Sequence, residues 1–139
     1  MSRFGPALLV LVLCFTHAYG QAPLENAIAT FNKGNGHVAF LGGSITQMNG
    51  YRPMVMEYLR KKFPHTDFTF TDAGLSSTCS TSGAFRFRDH VLAKGNVDLL
   101  FVEFAVNDDQ DARHNERECI RGMEGVVRQL RLANPEADV

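Results

Sequence analysis

The sequence predicts one α/β domain with a parallel sheet, cut short after its third strand. Three observations carry that prediction. Apolar runs at residues 38–41, 67–71 and 97–104 alternate with helical patterns in the order β-α-β-α-β-α, which right-handed crossovers turn into a parallel sheet. Each run ends in a polar, turn-forming segment: Gly42-Gly43-Ser44, the stretch from Asp72 to Thr78, and Asn107-Asp108. The 139 residues, 45% of them hydrophobic, suffice for a single core.

A leader precedes the fold. Arg3 gives it a positive start, residues 7–15 form an apolar run too short to cross a bilayer, and Ala18-Tyr19-Gly20 sets small residues before a cut ahead of Gln21. Residues 1–20 read as a secretory signal peptide, 21–36 as a lead-in and 37–139 as a partial domain. An uncleaved anchor or a core helix is the plainer alternative for the leader. With the signal removed, no membrane span is expected, and the location is secreted or periplasmic.

Residues 24–32 carry a short helical pattern ended by Gly34-Asn35-Gly36. The first strand follows at 38–41. Residues 51–63 form a helix with Met54, Val55, Tyr58 and Leu59 at helical spacing, Pro53 in its first turn and Pro64 as its stop. The β-branched and aromatic run 67–71 is the second strand. Residues 82–93 read as a helix with Phe85, His90 and Val91 toward the core, closed by Gly95. The long run 97–104 reads as a central strand buried on both faces. Residues 115–132 form the longest helix, with Ile120, Met123, Val127 and Leu130 on one face and Asn134-Pro135 at its end. A fourth strand is expected to begin at 137–139.

Composition narrows the function. A formal net charge of −1, with basic residues scattered apart from Arg60-Lys61-Lys62, gives no footing for a nucleic-acid partner. No cofactor is expected. Asn107, Asp109, Asp111, Asn115 and Glu118 follow a calcium-loop spacing, but Ala112 stands where that loop needs glycine. An acidic helix start is the plainer reading, so no metal is expected. Cys79 and Cys119 remain after signal removal; they could pair, or stay as two buried thiols.

Reactive groups in an open α/β sheet gather at the carboxyl ends of the strands. Ser44 there is a candidate nucleophile, Ser77 a candidate backbone donor and Asn107 a candidate carboxamide donor, which are the parts of an acyl-transfer site. Plainer readings stand beside each. Gly-Gly-Ser is also an ordinary strand-to-helix turn, though it lacks the lysine and the spacing of a phosphate loop. Asn107 is also a candidate helix cap or Asx turn, and Ser77 a polar turn residue. Arg86 and Arg88 offer cations to a polar or acidic substrate, or are solvated helix charges. No general base is evident. His37 starts a strand at the far end, His65 sits in a loop, His90 on a helix, and His114 nearest the acidic turn.

These residues resemble three blocks of the SGNH/GDSL hydrolases, a family of esterases and acylhydrolases. Gly42-Gly43-Ser44-Ile45 is similar to Gly-Asp-Ser-Leu. Residues 72–83, continuing into Gly83-Ala84-Phe85-Arg86, are similar to the second block, and Ala105-Val106-Asn107-Asp108 to Gly-x-Asn-Asp. The resemblance spans residues 37–135. It implies a flavodoxin-like three-layer α/β/α fold, with Ser44 as nucleophile and an oxyanion hole of the Ser44 and Ser77 N–H groups and the Asn107 side chain. It also suggests Arg86 as a substrate contact. The implied substrate is a small-molecule or carbohydrate ester, and the Gly-Ala-Phe-Arg stretch looks similar to exported members suspected of deacetylating carbohydrate. Gly43 departs from the family's aspartate, and Ser77 from its usual glycine, which a turn requiring positive φ would disfavour. The family's last block, the C-terminal Asp-x-x-His that carries the base, has no counterpart after the longest helix. The 139 residues are therefore expected to be nearly inactive alone. A non-catalytic glycan-binding module on the same fold is the competing expectation, and a nucleotide binder a weaker one.

Overall fold

Strands β1 (Asn35–Gly42), β2 (Asp67–Gly74) and β3 (Leu99–Glu103) form a parallel sheet of order β2-β1-β3 in the computed structural model, which describes residues 24–113 and 115–139. The proposed signal peptide and His114 lie outside the described residues. Pairing runs from Asn35 opposite Asp67 to Gly42 opposite Gly74, and from Val38 opposite Leu99 to Gly42 opposite Glu103. Gly42, Gly74 and Glu103 therefore end the three strands side by side.

The central strand is β1, not the 97–104 run. Every residue of β1 after Asn35 is buried, whereas Phe101, Val102 and Glu103 are half-buried. The length of an apolar run does not set its place in a sheet; the direction of each crossover does. On its outer edge β3 meets one parallel bridge, Leu99 to Asp138, through Leu100 N–H donating to the Asp138 carbonyl at 2.9 Å.

Alternation along β1 sorts the core into two chemically different layers. Val38 and Phe40 point to one face, under helices α1 (Glu25–Phe31) and, further along, Tyr51–Lys62. Their partners are mostly rings: Phe31, Phe63, Phe68, Phe70, Phe101 and Tyr51. Phe40 stacks on Phe101 at 5.1 Å and Phe31 meets Phe68 edge-on at 5.0 Å, the offset and T-shaped geometries that ring quadrupoles favour. Ala39 and Leu41 point to the other face, a mainly aliphatic layer with Val91, Leu100, Val126 and Leu130. Ala27 and Phe31 are buried in the ring layer and β1 already begins at Asn35. The segment read as a lead-in thus helps build the core.

Two helix faces differ from expectation. The helix Ser80–His90 buries Ser80, Gly83 and Phe87, leaving Phe85 88% exposed and His90 exposed. The helix Glu116–Ala133 buries Gly122, Val126 and Leu130, with Ile120 half exposed. Glycine sets both faces. Gly83 lies against the Phe104 ring and Gly122 against the backbone of Ser80 and Thr81, so neither has room for a Cβ. An apolar pattern that ignores glycine misses such close approaches.

Candidate active site

Three strand ends bring the candidate residues together. With helices numbered in chain order, β1 runs through Gly42-Gly43 into α2 (Ser44–Gln47), followed by α3 (Tyr51–Lys62). After β2 comes a turn and then α4 (Ser80–His90); after β3 come α5 (Ala105–Gln110) and α6 (Glu116–Ala133). The crossover after β1 covers the ring layer and that after β3 the aliphatic layer. Ser44 and Asn107 therefore flank the point where strand order reverses, the place where such sheets open a crevice.

Ser44 is half-buried and is the first residue of α2. Gln47 N–H donates to the Gly43 carbonyl at 3.0 Å and Met48 N–H to the Ser44 carbonyl at 2.9 Å. The Ser44 N–H, in the first turn, has no acceptor within its helix. Gly74 lets α2 lie directly on the end of β2, where a Cβ would run into the Gln47 backbone.

Ser77 lies in the turn after β2 with φ 59, in the left-handed region. The turn therefore does require positive φ, and the departure from glycine costs roughly 1 kcal/mol of backbone strain. Neighbouring bonds hold the turn: Leu75 N–H to the Gly42 carbonyl at 2.9 Å, Ser76 N–H to Gln47 Oε1 at 2.8 Å, and the Thr78 hydroxyl to the Leu75 carbonyl at 2.7 Å.

Asn107 stands inside α5 rather than in an open loop, with 8% exposure. Its Nδ2 donates to Asp111 Oδ2 at 2.7 Å, which leaves its second amide hydrogen as a donor. Its Oδ1 lies against Gly43. A Cβ at Gly43 would overlap that oxygen, and would stand 3.0 Å from Asn107 Cγ and 3.4 Å from the Thr78 carbonyl oxygen. The residue before Ser44, the residue after Ser77 and Asn107 itself thus meet at one point. In this chain the same contact leaves a side chain at position 43 no space.

The sequence did not single out several supporting residues. Buried Arg52 donates to the Thr46 and Gln47 carbonyls at the end of α2, the latter at 3.0 Å, and pairs with Asp72 at 2.8 Å. The Tyr51 hydroxyl lies 3.1 Å from Thr46 Oγ1; burial, more than any neighbour, raises its pKa. Asp108 accepts from Ser80 N–H at 2.8 Å, tying α5 to the start of α4. Cys79 and Cys119 are free thiols beside this group. The Cys79 thiol lies 3.4 Å from the Asn107 carbonyl oxygen, as donor to it, and burial, helped by Asp108 and Asp111, pushes its pKa up. A hydrogen bond to Asp108, then burial, does the same to Cys119.

Arg86, expected as a substrate contact, is bonded to two strand ends. Its Nη1 donates to the Ala73 carbonyl at 2.6 Å and its Nη2 to the Gly42 carbonyl at 2.9 Å. The histidines stand apart. The His37 ring bonds to the Asn96 carbonyl at 3.0 Å and Thr71 Oγ1 at 2.8 Å, at the far end of the sheet. His65 and His90 are exposed. None of these three imidazole rings has a carboxylate partner among the described residues, although the His37 backbone N–H donates to Asp98 at 2.8 Å. Among the same residues, no group of three or more His, Cys, Asp or Glu side chains could hold a metal, and no helix is long and apolar enough to cross a membrane.

No family model and no curated protein matches the chain. Solved structures do. A two-domain esterase active on acetylated mannans, co-crystallised with mannopentaose, is 32% identical with a TM-score of 0.72; the match covers 83% of this chain and 33% of that one. The chain thus spans about a third of that esterase's length. An acetyl xylan esterase variant from Geobacillus stearothermophilus is 20% identical over 75% of this chain and 57% of its own, with a TM-score of 0.52. The protein TesA is 18% identical over 73% and 56%, with a TM-score of 0.60. The last two share the fold alone.

Proposed function

We propose, for a chain whose fold is that of the SGNH/GDSL hydrolases, that Ser44 is the nucleophile of an exported esterase that deacylates carbohydrate. The observation that carries this reading is the meeting of Gly43, Thr78 and the Asn107 carboxamide immediately before Ser44. The acetylated-mannan activity of the 32% identical esterase supports the choice of a carbohydrate ester.

The chemistry has two steps. A base takes the Ser44 Oγ proton as Oγ attacks the ester carbonyl carbon. The carbonyl oxygen becomes an oxyanion that accepts from the Ser44 and Ser77 N–H groups and from Asn107 Nδ2. The alkoxy C–O bond breaks, and the sugar hydroxyl leaves with the proton. Water repeats the attack and frees the acid. The site requires a histidine base, and His37, His65 and His90 do not fill that role. Without a base in place, turnover of ester is expected to fall by several orders of magnitude.

The test is fluorophosphonate labelling of the full-length protein, with Ser44→Ala as control. Labelling that disappears in the variant supports an activated serine. A folded protein that does not label refutes the esterase reading and favours a glycan-binding module on the same fold.

A further inference from the structure

We infer that Arg86 is a positioning residue for the Ser44 site, fixing the peptide that leads into the nucleophile turn rather than touching substrate. The inference rests on the reading of Ser44 as nucleophile. The Gly42 carbonyl oxygen accepts from Arg86 Nη2 and from Leu75 N–H, each at 2.9 Å, while the N–H on the other side of that peptide, Gly43 N, donates to the Glu103 carbonyl at 3.2 Å. The Gly42–Gly43 peptide is therefore held at both ends, by groups from α4, from the turn after β2 and from β3. A peptide between two glycines has little steric resistance of its own to rotation. Rotation here would break the Glu103 bond and carry the Gly42 oxygen away from its donors, altering where Ser44 enters α2.

The second arm of the guanidinium works on the other strand end. Arg86 Nη1 holds the Ala73 carbonyl at 2.6 Å, one residue before the Gly74 on which α2 rests and four before Ser77. One side chain thus spans the ends of β1 and β2, upstream of both oxyanion N–H groups. A planar guanidinium serves two carbonyls at once; an ammonium on a flexible stem is a poor substitute. Arg86 Nε is buried without an acceptor among the described residues. The two carbonyls therefore set its orientation. His90 Nδ1, 3.4 Å from Nη1, lies on the exposed side.

The experiment uses full-length protein with Arg86→Met, Arg86→Lys and, as a control on an exposed face of α6, Arg128→Met. Three quantities are read: the fluorophosphonate labelling rate at Ser44, and kcat and KM on a neutral and on an anionic acetylated sugar. Disturbing one oxyanion donor typically costs about 100-fold, so Arg86→Met is expected to slow labelling and lower kcat by roughly that factor on both sugars. KM should stay within about threefold, as for an interaction felt mainly in the transition state. Arg86→Lys should recover part of the rate, and Arg128→Met should match the wild type. Unchanged labelling in Arg86→Met overturns the inference. So does a loss confined to KM on the anionic sugar, which would return Arg86 to substrate binding. If Arg86→Met does not fold, Arg86→Lys decides: labelling at the wild-type rate overturns the inference. A folded wild type that does not label overturns the Ser44 reading itself, and the inference with it.

Discussion

Replacing Gly43 by alanine probes the site at its tightest point. The added methyl would overlap Asn107 Oδ1. Restoring ordinary van der Waals separation requires the carboxamide to retreat by roughly an ångström. Asn107 is 8% exposed and its Nδ2 is tied to Asp111 at 2.7 Å, so a retreat strains or breaks that bond. Losing a hydrogen bond to a charged group costs about 1.5–3 kcal/mol, and overpacking costs about 1–3 kcal/mol; because both describe one displacement, about 2–3 kcal/mol in total is expected. The donor also leaves its place, and an ångström of misplacement is worth about 100-fold in rate. Urea unfolding and the fluorophosphonate labelling rate measure the two effects. In a double-mutant cycle, Asn107→Ala should relieve most of the stability loss caused by Gly43→Ala, because the clash is between those two residues. A Gly43→Ala protein as stable and as reactive as the wild type would refute the contact on which the site is built.

Other outcomes follow from the same geometry. Ser77→Gly should label within about twofold of the wild type, since only the backbone N–H is used, while its stability moves by no more than about 1 kcal/mol as relieved strain offsets added chain freedom; a large loss of labelling would put the hydroxyl into the chemistry. Arg52→Met removes the Asp72 pair and strands the Thr46 and Gln47 carbonyls, so urea unfolding should show a loss of about 2–3 kcal/mol. The Cys79 and Cys119 pKa values are raised in the folded state. Their contribution is therefore intact below the unfolded thiol pKa and is lost as pH rises through the folded values. Stability should fall on the alkaline side, and Asp108→Asn should make Cys119 alkylate faster at a fixed mildly alkaline pH; an unchanged rate would remove Asp108 as the cause.

Much of this arrangement is legible in the sequence. A parallel sheet gathers its strand ends at one edge, so three polar turns after three apolar runs had to approach each other. The positions of Ser44, Ser77 and Asn107 follow from that rule. Sheet order did not follow, because the short Val38-Ala39-Phe40-Leu41 run gives no hint that it pairs on both edges. Arg52 and Arg86 were missed as structural residues for a related reason. A cation on a helix reads as solvated, and only the folded chain shows backbone carbonyls waiting for its donors. The helical state of Asn107 was hidden by Asp108 and Asp109, which suit a loop equally well; its one sequence signal was Asp111 four residues on, the spacing of a side-chain pair on a helix.

The two unlike faces of the sheet have a consequence for how this protein is watched. The chain contains no tryptophan. Both described tyrosines, Tyr51 and Tyr58, belong to α3, and Tyr51 meets Phe40 edge-on at 6.0 Å. Tyrosine fluorescence and near-ultraviolet dichroism therefore report mainly on the ring-rich side, while the aliphatic side beneath α4 and α6 is almost dark. A spectroscopic melt follows one half of the molecule. Methyl resonances of Val91, Val126 and Leu130 follow the other, and only the superposition of the two curves would establish that both halves unfold together.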